Sequence, residues 1–518
     1  MKSTAAALAA MAMIGGMTAP LPGTMARAGA TTLDAQAHAE HMLRRFAFSA
    51  PPSDVAAIAD VSGGDLAWLH EQLNPDLIDD TGSTLEAPTT KLDAQGNYPD
   101  WFIYERIMLQ HWILTKRQAQ AKLELHWLDH FSVGIDKVGD PAVMANYDLT
   151  IRRNALGNFI TLATAVATSP AMLEWLDNNG NIGPVANENF ARECMQLFIM
   201  GPYALNQDGT VKTDASGNPI ANYSQADVQA IALAMTGYEV DWNWAGTNPE
   251  TRFATVYAPD RHDTRQLKFR GKTYKVPNSA EAMRYVIDIL ARNPSTAPFQ
   301  AKELLQRFVT ENPSKQYVSD IAAVWAATIG DSNQIAEVVH AIVTHPEFDG
   351  AYHAMPKQPV EIMVDMMRAL PGAMQSIGGN GPGQSLLWAL TDLAQEPYNP
   401  PSVFSFYRPG DVETTINTST RLSRNSYLGW ITGLAPTDQS AMAYIDVTKL
   451  RQRAGSNQTA PIVRYLLNAL LDGGSTDLKA ILTTYLDAST SGPGGGPGDN
   501  ELRGAIWLVL NSPEYAVN

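Results

Sequence analysis

Asn187-Glu188-Asn189-Phe190-Ala191-Arg192-Glu193-Cys194-Met195-Gln196-Leu197 is the stretch on which the reading of this chain turns. Phe190, Cys194 and Leu197 recur at helical spacing, Asn187 is suited to cap a first turn, and Glu188 stands near its positive end. Four residues apart, Glu188 faces Arg192 and Asn189 faces Glu193. The spacing predicts one capped amphipathic helix over 188–200. Two carboxylates and a guanidinium within seven residues also offer an acid, a base and an anion clamp. Spacing alone does not separate that chemistry from a helix that simply carries internal ion pairs.

The same three-and-four periodicity extends outward in both directions. It predicts helices over 38–48, 101–117, 120–131, 142–154, 158–168 and 225–236, then over 280–291, 298–309, 316–326, 335–343, 359–370, 461–471 and 501–510. Ser224 and Asp227 form a capping-box arrangement at the start of the 225–236 helix, with Asp in place of Glu. Strand signals are confined to 238–276, where aromatic residues alternate with turn formers and Arg270-Gly271-Lys272 reads as a hairpin turn. The expected fold is all-α, a multi-helix globular array with a small strand-containing insertion. The expected organisation is one large helical domain over 29–518, with lobes at about 29–237 and 277–518 joined by the irregular insertion 238–276.

The first residues, Met1-Lys2-Ser3, an apolar run from Ala5 to Ile14 and the small residues around Ala26-Arg27-Ala28, have the form of a secretory signal peptide over 1–28. The expectation is therefore an exported protein, periplasmic or extracellular. The apolar run is too short for a permanent span, which takes about 20 residues, and no transmembrane segment is expected. Of the 518 residues 45% are hydrophobic and 17% charged, enough apolar material for a large core. The formal net charge of -16 disfavours nucleic acid and bare anionic membrane as partners. The single cysteine, Cys194, forbids an internal disulfide and falls on a buried helical stripe, where it reads as core.

Three further polar groupings compete for a site. His126 and His130 lie one helical turn apart with Asp129 beside them, a spacing open to a metal pair, although a third ligand must come from elsewhere. His262-Asp263, after Arg261, falls in the irregular region, either as a cleft cluster or as a turn. The proline-bounded aromatic run Pro400 to Gly410, with Tyr407 and Arg408, either lines a sugar-binding cleft or plugs the core. Nucleophile-elbow, phosphate-loop and dinucleotide signatures are missing from the sequence, which weakens serine-hydrolase, nucleotide and dehydrogenase readings.

Met42 to Phe48, Trp127-Leu128-Asp129-His130-Phe131, Asn187 to Glu193, Tyr223 to Asp227 with Thr236-Gly237-Tyr238, His262-Asp263, and Ser512-Pro513-Glu514-Tyr515 together resemble the bacterial domain-of-unknown-function family numbered 1800. The resemblance covers essentially the whole mature chain. It implies export, a mostly helical fold, and company with an exported partner of domain-of-unknown-function family 1501. It places His130, Asn187, Glu188, Asn189, Arg192, Glu193, Asp227, His262 and Asp263 on the family's recurring polar positions. His126 departs from the pattern, since the family carries a histidine at the place of Leu128, and this weakens the metal pair. Cys194 and Gln196 stand where Leu and Glu are expected. Two functions emerge as expectations. The first is a hydrolase of an extracellular or cell-envelope polymer such as a glycan, with Glu188, Glu193, His130, His262 and Asp263 as catalytic residues. In it Asn187, Asn189, Arg192, Asp227, Tyr407 and Arg408 bind substrate, no metal is assigned, and the cofactor is unknown. The alternative is a noncatalytic periplasmic or surface assembly protein in which the same motifs are struts.

Overall fold

The computed structural model describes residues 33–81, 101–242, 253–352, 355–374, 389–406, 418–433 and 443–517. The signal-like segment, Tyr407 and Arg408 lie outside them. The fold is predominantly helical, as periodicity predicts. Its described strands form short antiparallel pairs, two of them within the expected insertion: Tyr238–Val240 with Thr255–Tyr257, and Leu267–Phe269 with Lys272–Tyr274. Arg270 and Gly271 turn the second pair with φ of 50° and 75°, the left-handed conformation that a two-residue hairpin twist demands.

One helix organises the centre. In Gln118–His130 every residue from Gln118 to Trp127 is buried, so the helix has no solvent face and each of its polar groups needs a protein partner. Gln120 reaches the Arg152 carbonyl at 3.0 Å, Glu124 accepts from Arg152 Nε at 2.8 Å and Trp112 Nε1 at 3.1 Å, and Lys122 pairs with Glu361. Leu123 and Trp127 are fully buried, and each side chain of that size contributes roughly 1.5–3 kcal/mol. Trp127 stacks near Phe131, and Phe159 meets Trp325 edge-on, tying this helix through Phe159–Ala167 to Lys315–Ala327. Buried residues from both expected lobes belong to the same apolar core.

The helix Thr296–Phe308 packs on Lys315–Ala327 and presents Ala301, Leu304, Leu305 and Phe308 inward. The C-terminal tail returns to the middle of the fold. The Lys357 N–H donates to the Ala516 carbonyl at 2.8 Å, Tyr515 Oη donates to the Ile362 carbonyl at 3.0 Å, and Lys357 Nζ pairs with Asp365 at 2.6 Å. This pins the strap Met355–Gln358, which enters the helix Pro359–Ala369 through a capping box between Gln358 and Glu361. Among the described residues no helix is long and apolar enough to cross a membrane.

A candidate active-site cleft

The stretch 188–200 does not form the single helix that its spacing predicts. Asn189–Glu193 is α-helical and Cys194–Ile199 opens into a π-helical turn. The wider turn shifts the helical phase, so that Phe198 is buried whereas Leu197 is only partly so and faces a cleft. The carbonyls of this turn find tertiary partners. Gln300 Nε2 donates to the Phe198 and Ile199 carbonyls at 2.8 and 3.1 Å, and His130 Nε2 donates to the Phe198 carbonyl at 2.7 Å.

The cleft has a volume of about 350 Å³, at the lower end of the range usual for ligand pockets. The end of the Gln118–His130 helix supplies His126, Asp129 and His130; Thr296–Phe308 supplies Phe299, Glu303, Gln306 and Arg307. The π turn, the strap at Met355, Pro356 and Gln358, and Val403-Phe404-Ser405 complete the wall. His130 Nδ1 lies 2.8 Å from the Glu303 carboxylate while Nε2 is committed to a carbonyl. The imidazole is thus held between the π turn and the Glu303 carboxylate and fixes the position of that carboxylate in the cleft.

Asp129 stands between this cleft and a small apolar void of about 30 Å³ whose lining includes Trp112, Leu125, Tyr147, Tyr398 and Phe406. Burial pushes its pKa up to about 7, against the opposing pull of Arg307 and of Ser405. Its Oδ1 accepts from Ser405 Oγ at 3.2 Å, Gln358 adds a further pull on the carboxyl, and the buried Oδ2 has no hydrogen bond of good geometry among the described residues. Ser405 holds that position with a φ of 65°, a strained conformation for a non-glycine residue and one that clusters at functional sites. His126 is driven well below the usual histidine range by burial and by the charges of His130 and Arg307, and is neutral. Its ring lies 5.9 Å from that of His130, but among the described residues no group of three or more His, Cys, Asp or Glu side chains is placed to hold a metal.

Of the catalytic and substrate-binding residues expected from sequence, His130 alone among the described residues lines this cleft, together with His126 and Asp129 of the weighed metal pair and Val403 to Ser405 of the proline-bounded run. Glu188 and Arg192 pair at 3.0 Å, partly exposed, and Gln225 bonds to both. Asn187 Oδ1 accepts from the Asn189 N–H at 2.9 Å, a local cap, and Asn189 Nδ2 turns to Asp177 at 3.3 Å instead of meeting Glu193. Glu193 is half-buried, and burial raises its pKa against the pull of Arg192. Tyr223, whose pKa is raised by burial and by the Glu193 charge, donates its hydroxyl to the lining residue Gln196 at 3.3 Å. Asp227 completes the expected capping box with Ser224 and also accepts the Arg270 N–H at 2.8 Å, fastening the hairpin.

His262 is buried with Nδ1 donating to the Thr236 carbonyl at 3.0 Å, and Asp263 accepts from Arg265 while packing on Gly183. A β-carbon at Gly183 would come within 2.8 Å of Asp263, so these two loops fit only with glycine there. Glu303 and Arg307 do not stand out in the sequence, Ser405 does so only within the Pro400 to Gly410 run, and Asp129 only as a neighbour of two histidines and within the Trp127 to Phe131 motif. The spacing of Glu303 and Arg307, one turn apart on a helix whose other face is apolar, was the available signal.

These features define a helical protein with a recessed cleft that combines a carboxyl of raised pKa, a carboxylate–imidazole pair and a guanidinium. The chain belongs to the family described as Protein of unknown function (DUF1800), whose model matches residues 41–517. No curated protein and no solved structure matches it.

Proposed function

We propose that the protein is a hydrolase of an envelope or extracellular polymer, a glycan in the first instance, and that its chemistry lies in this cleft. The observation that carries the reading is the placement of Asp129, whose pKa burial raises to about 7, with the Glu303–His130 pair in the same recess. Acid and base carboxyls kept in different states by different surroundings are what glycosidic cleavage requires. Asp129 gives its proton to the leaving oxygen. Glu303, oriented by His130, takes a proton from the attacking water, whose oxygen bonds to the sugar carbon as the old bond breaks. Exchange with solvent then returns both groups to their starting states. Export, read from the apolar run at 5–14, would bring the enzyme to such a polymer.

The test is release of reducing ends from purified glycans by the mature protein and by Asp129→Asn. Loss of general acid catalysis lowers the rate about 10²- to 10⁴-fold. Undiminished release by the variant would remove Asp129 from the role.

A second reading, partner binding, draws on the loop beside the motif helix, where Ile182 and Val185 are exposed at 45% and 84%. It expects an exported partner, such as a family 1501 protein, to be captured by the native chain and lost with Val185→Asp.

A further inference from the structure

Behind the cleft lies a second, much smaller chamber of about 10 Å³, the room of a single water molecule, lined by Arg44, Arg45, Lys122, Arg307 and Glu361 with Met355 and Pro356. Arg307, Met355 and Pro356 line both spaces and form the wall between them. Arg44 is paired with Glu40. Arg45, Lys122 and Arg307 are left to share the one carboxylate of Glu361, which lies 3.3 Å from Arg307 Nη2 and also binds Lys122. Burial would raise the Glu361 pKa, but Arg307 and Lys122 outweigh it and hold that carboxyl well below the usual range. Burial pushes Lys122 down to about 8, and pushes Arg45 down to about 9, where Arg307 and Arg44 add their repulsion.

Hydrogen bonding shows the same shortage of acceptors. Among the described residues Arg45 gives one bond, from Nη2 to the Ala351 carbonyl at 2.7 Å, and its buried Nε has no hydrogen-bond partner. Arg307 keeps only 9% of its side chain exposed; its buried Nη2 has only the 3.3 Å ion pair with Glu361, and its buried Nε has no hydrogen-bond partner among the described residues. Asp129, the carboxyl facing it in the cleft, is the one that burial holds toward the neutral form. A concentration of buried positive charge with too few protein acceptors is costly, and an anion drawn against it relieves the imbalance.

We infer that the cleft takes ligands carrying an oxyanion, a carboxylate or a phosphate, seated against Arg307 with the cationic chamber behind it. This rests on the hydrolase reading for its consequence, that the polymer cleaved is an acidic one, a polyuronate or a phosphate-bearing glycan. The surface as a whole is acidic, with a net charge of -16, and repels polyanions at long range. Recognition is therefore local to the recess, and it survives physiological salt, which screens the surface more than a buried contact.

The experiment is calorimetric titration of the catalytically silenced Asp129→Asn protein at physiological salt. The probes are trigalacturonate, inorganic phosphate and the neutral trisaccharide maltotriose. The expected result is that trigalacturonate or phosphate binds at least about tenfold tighter than maltotriose, one bidentate charge-assisted contact being ample for that. Which of the two anions binds separates a uronate from a phosphate source. Arg307→Gln should abolish the preference and Arg307→Lys restore part of it, with circular dichroism showing each variant folded. Equal affinity for charged and neutral probes, no anion binding, or a preference that survives in Arg307→Gln overturns the inference. Should Arg307→Gln fail to fold, the comparison of charged and neutral probes on the parent protein decides alone. Cleavage of a neutral glycan independent of Arg307 would sink this inference and leave the hydrolase reading intact. Arg307-dependent anion binding with no polymer cleaved would do the reverse.

Discussion

Replacing Asp129 by asparagine, which on the proposed function removes the general acid, should at the same time stabilise the fold, by an amount that grows with pH. The carboxyl moves from 3.8 to about 7 on folding. A raised carboxyl pKa favours the folded state fully below the unfolded pKa of 3.8, and that advantage is lost as pH rises through 7. Above pH 7 the wild type holds a buried carboxylate whose Oδ2 has no hydrogen bond of good geometry among the described residues, whereas asparagine of the same shape is neutral at every pH. At 1.36 kcal/mol per tenfold change in proton affinity, the full displacement is worth about 4 kcal/mol. Asp129 keeps some surface in the cleft, so about 2–3 kcal/mol is the expected gain at pH 8, falling to about 1 kcal/mol at pH 5. Urea unfolding of both proteins between pH 5 and 8 measures this directly. A stability difference that does not vary with pH, or an asparagine variant that is the weaker at pH 8, would refute the reasoning, because either result means that Asp129 is not a desolvated acid.

Two further outcomes are expected from the same structure. Lys357→Met removes the partner of buried Asp365 and a cation lying 4.0 Å from the centre of the Tyr515 ring; it should cost about 3–5 kcal/mol in urea unfolding, as breaking a buried pair does. Cys194, buried and with its thiol pushed up to about 12 by burial, should resist a thiol reagent in the native protein and react only at the rate of unfolding.

Much of the architecture was legible in the sequence because helical periodicity is a local property. The 120–131 pattern falls within two residues of Gln118–His130, the Ser224–Asp227 box caps its helix, and Arg270-Gly271 turns its hairpin. The π turn was hidden, since a 3.6-residue repeat places Leu197 inside where the widened turn brings Phe198 instead. The cleft was hidden for a different reason. Its two carboxyls come from positions 129 and 303, and nothing local to either announces that the helices bearing them meet. The compact string Asn187 to Glu193 drew attention because its polar groups are close in sequence, yet most of their hydrogen bonds serve the loops and helix ends around them. Asp129 drew little, because the burial that raises its pKa and the cleft it shares with Glu303 and Arg307 are set by tertiary packing.

The central claim is that catalysis belongs to the cleft and not to the Asn187–Glu193 motif. Its most direct test is reducing-end release from a panel of neutral and acidic glycans by the wild type, Glu303→Gln and Glu193→Gln. The account predicts release from at least one polymer by the wild type, a loss of about a hundredfold or more in Glu303→Gln, and a rate within about threefold of wild type in Glu193→Gln. Release that survives in Glu303→Gln and disappears in Glu193→Gln, or no release from any polymer, would contradict it.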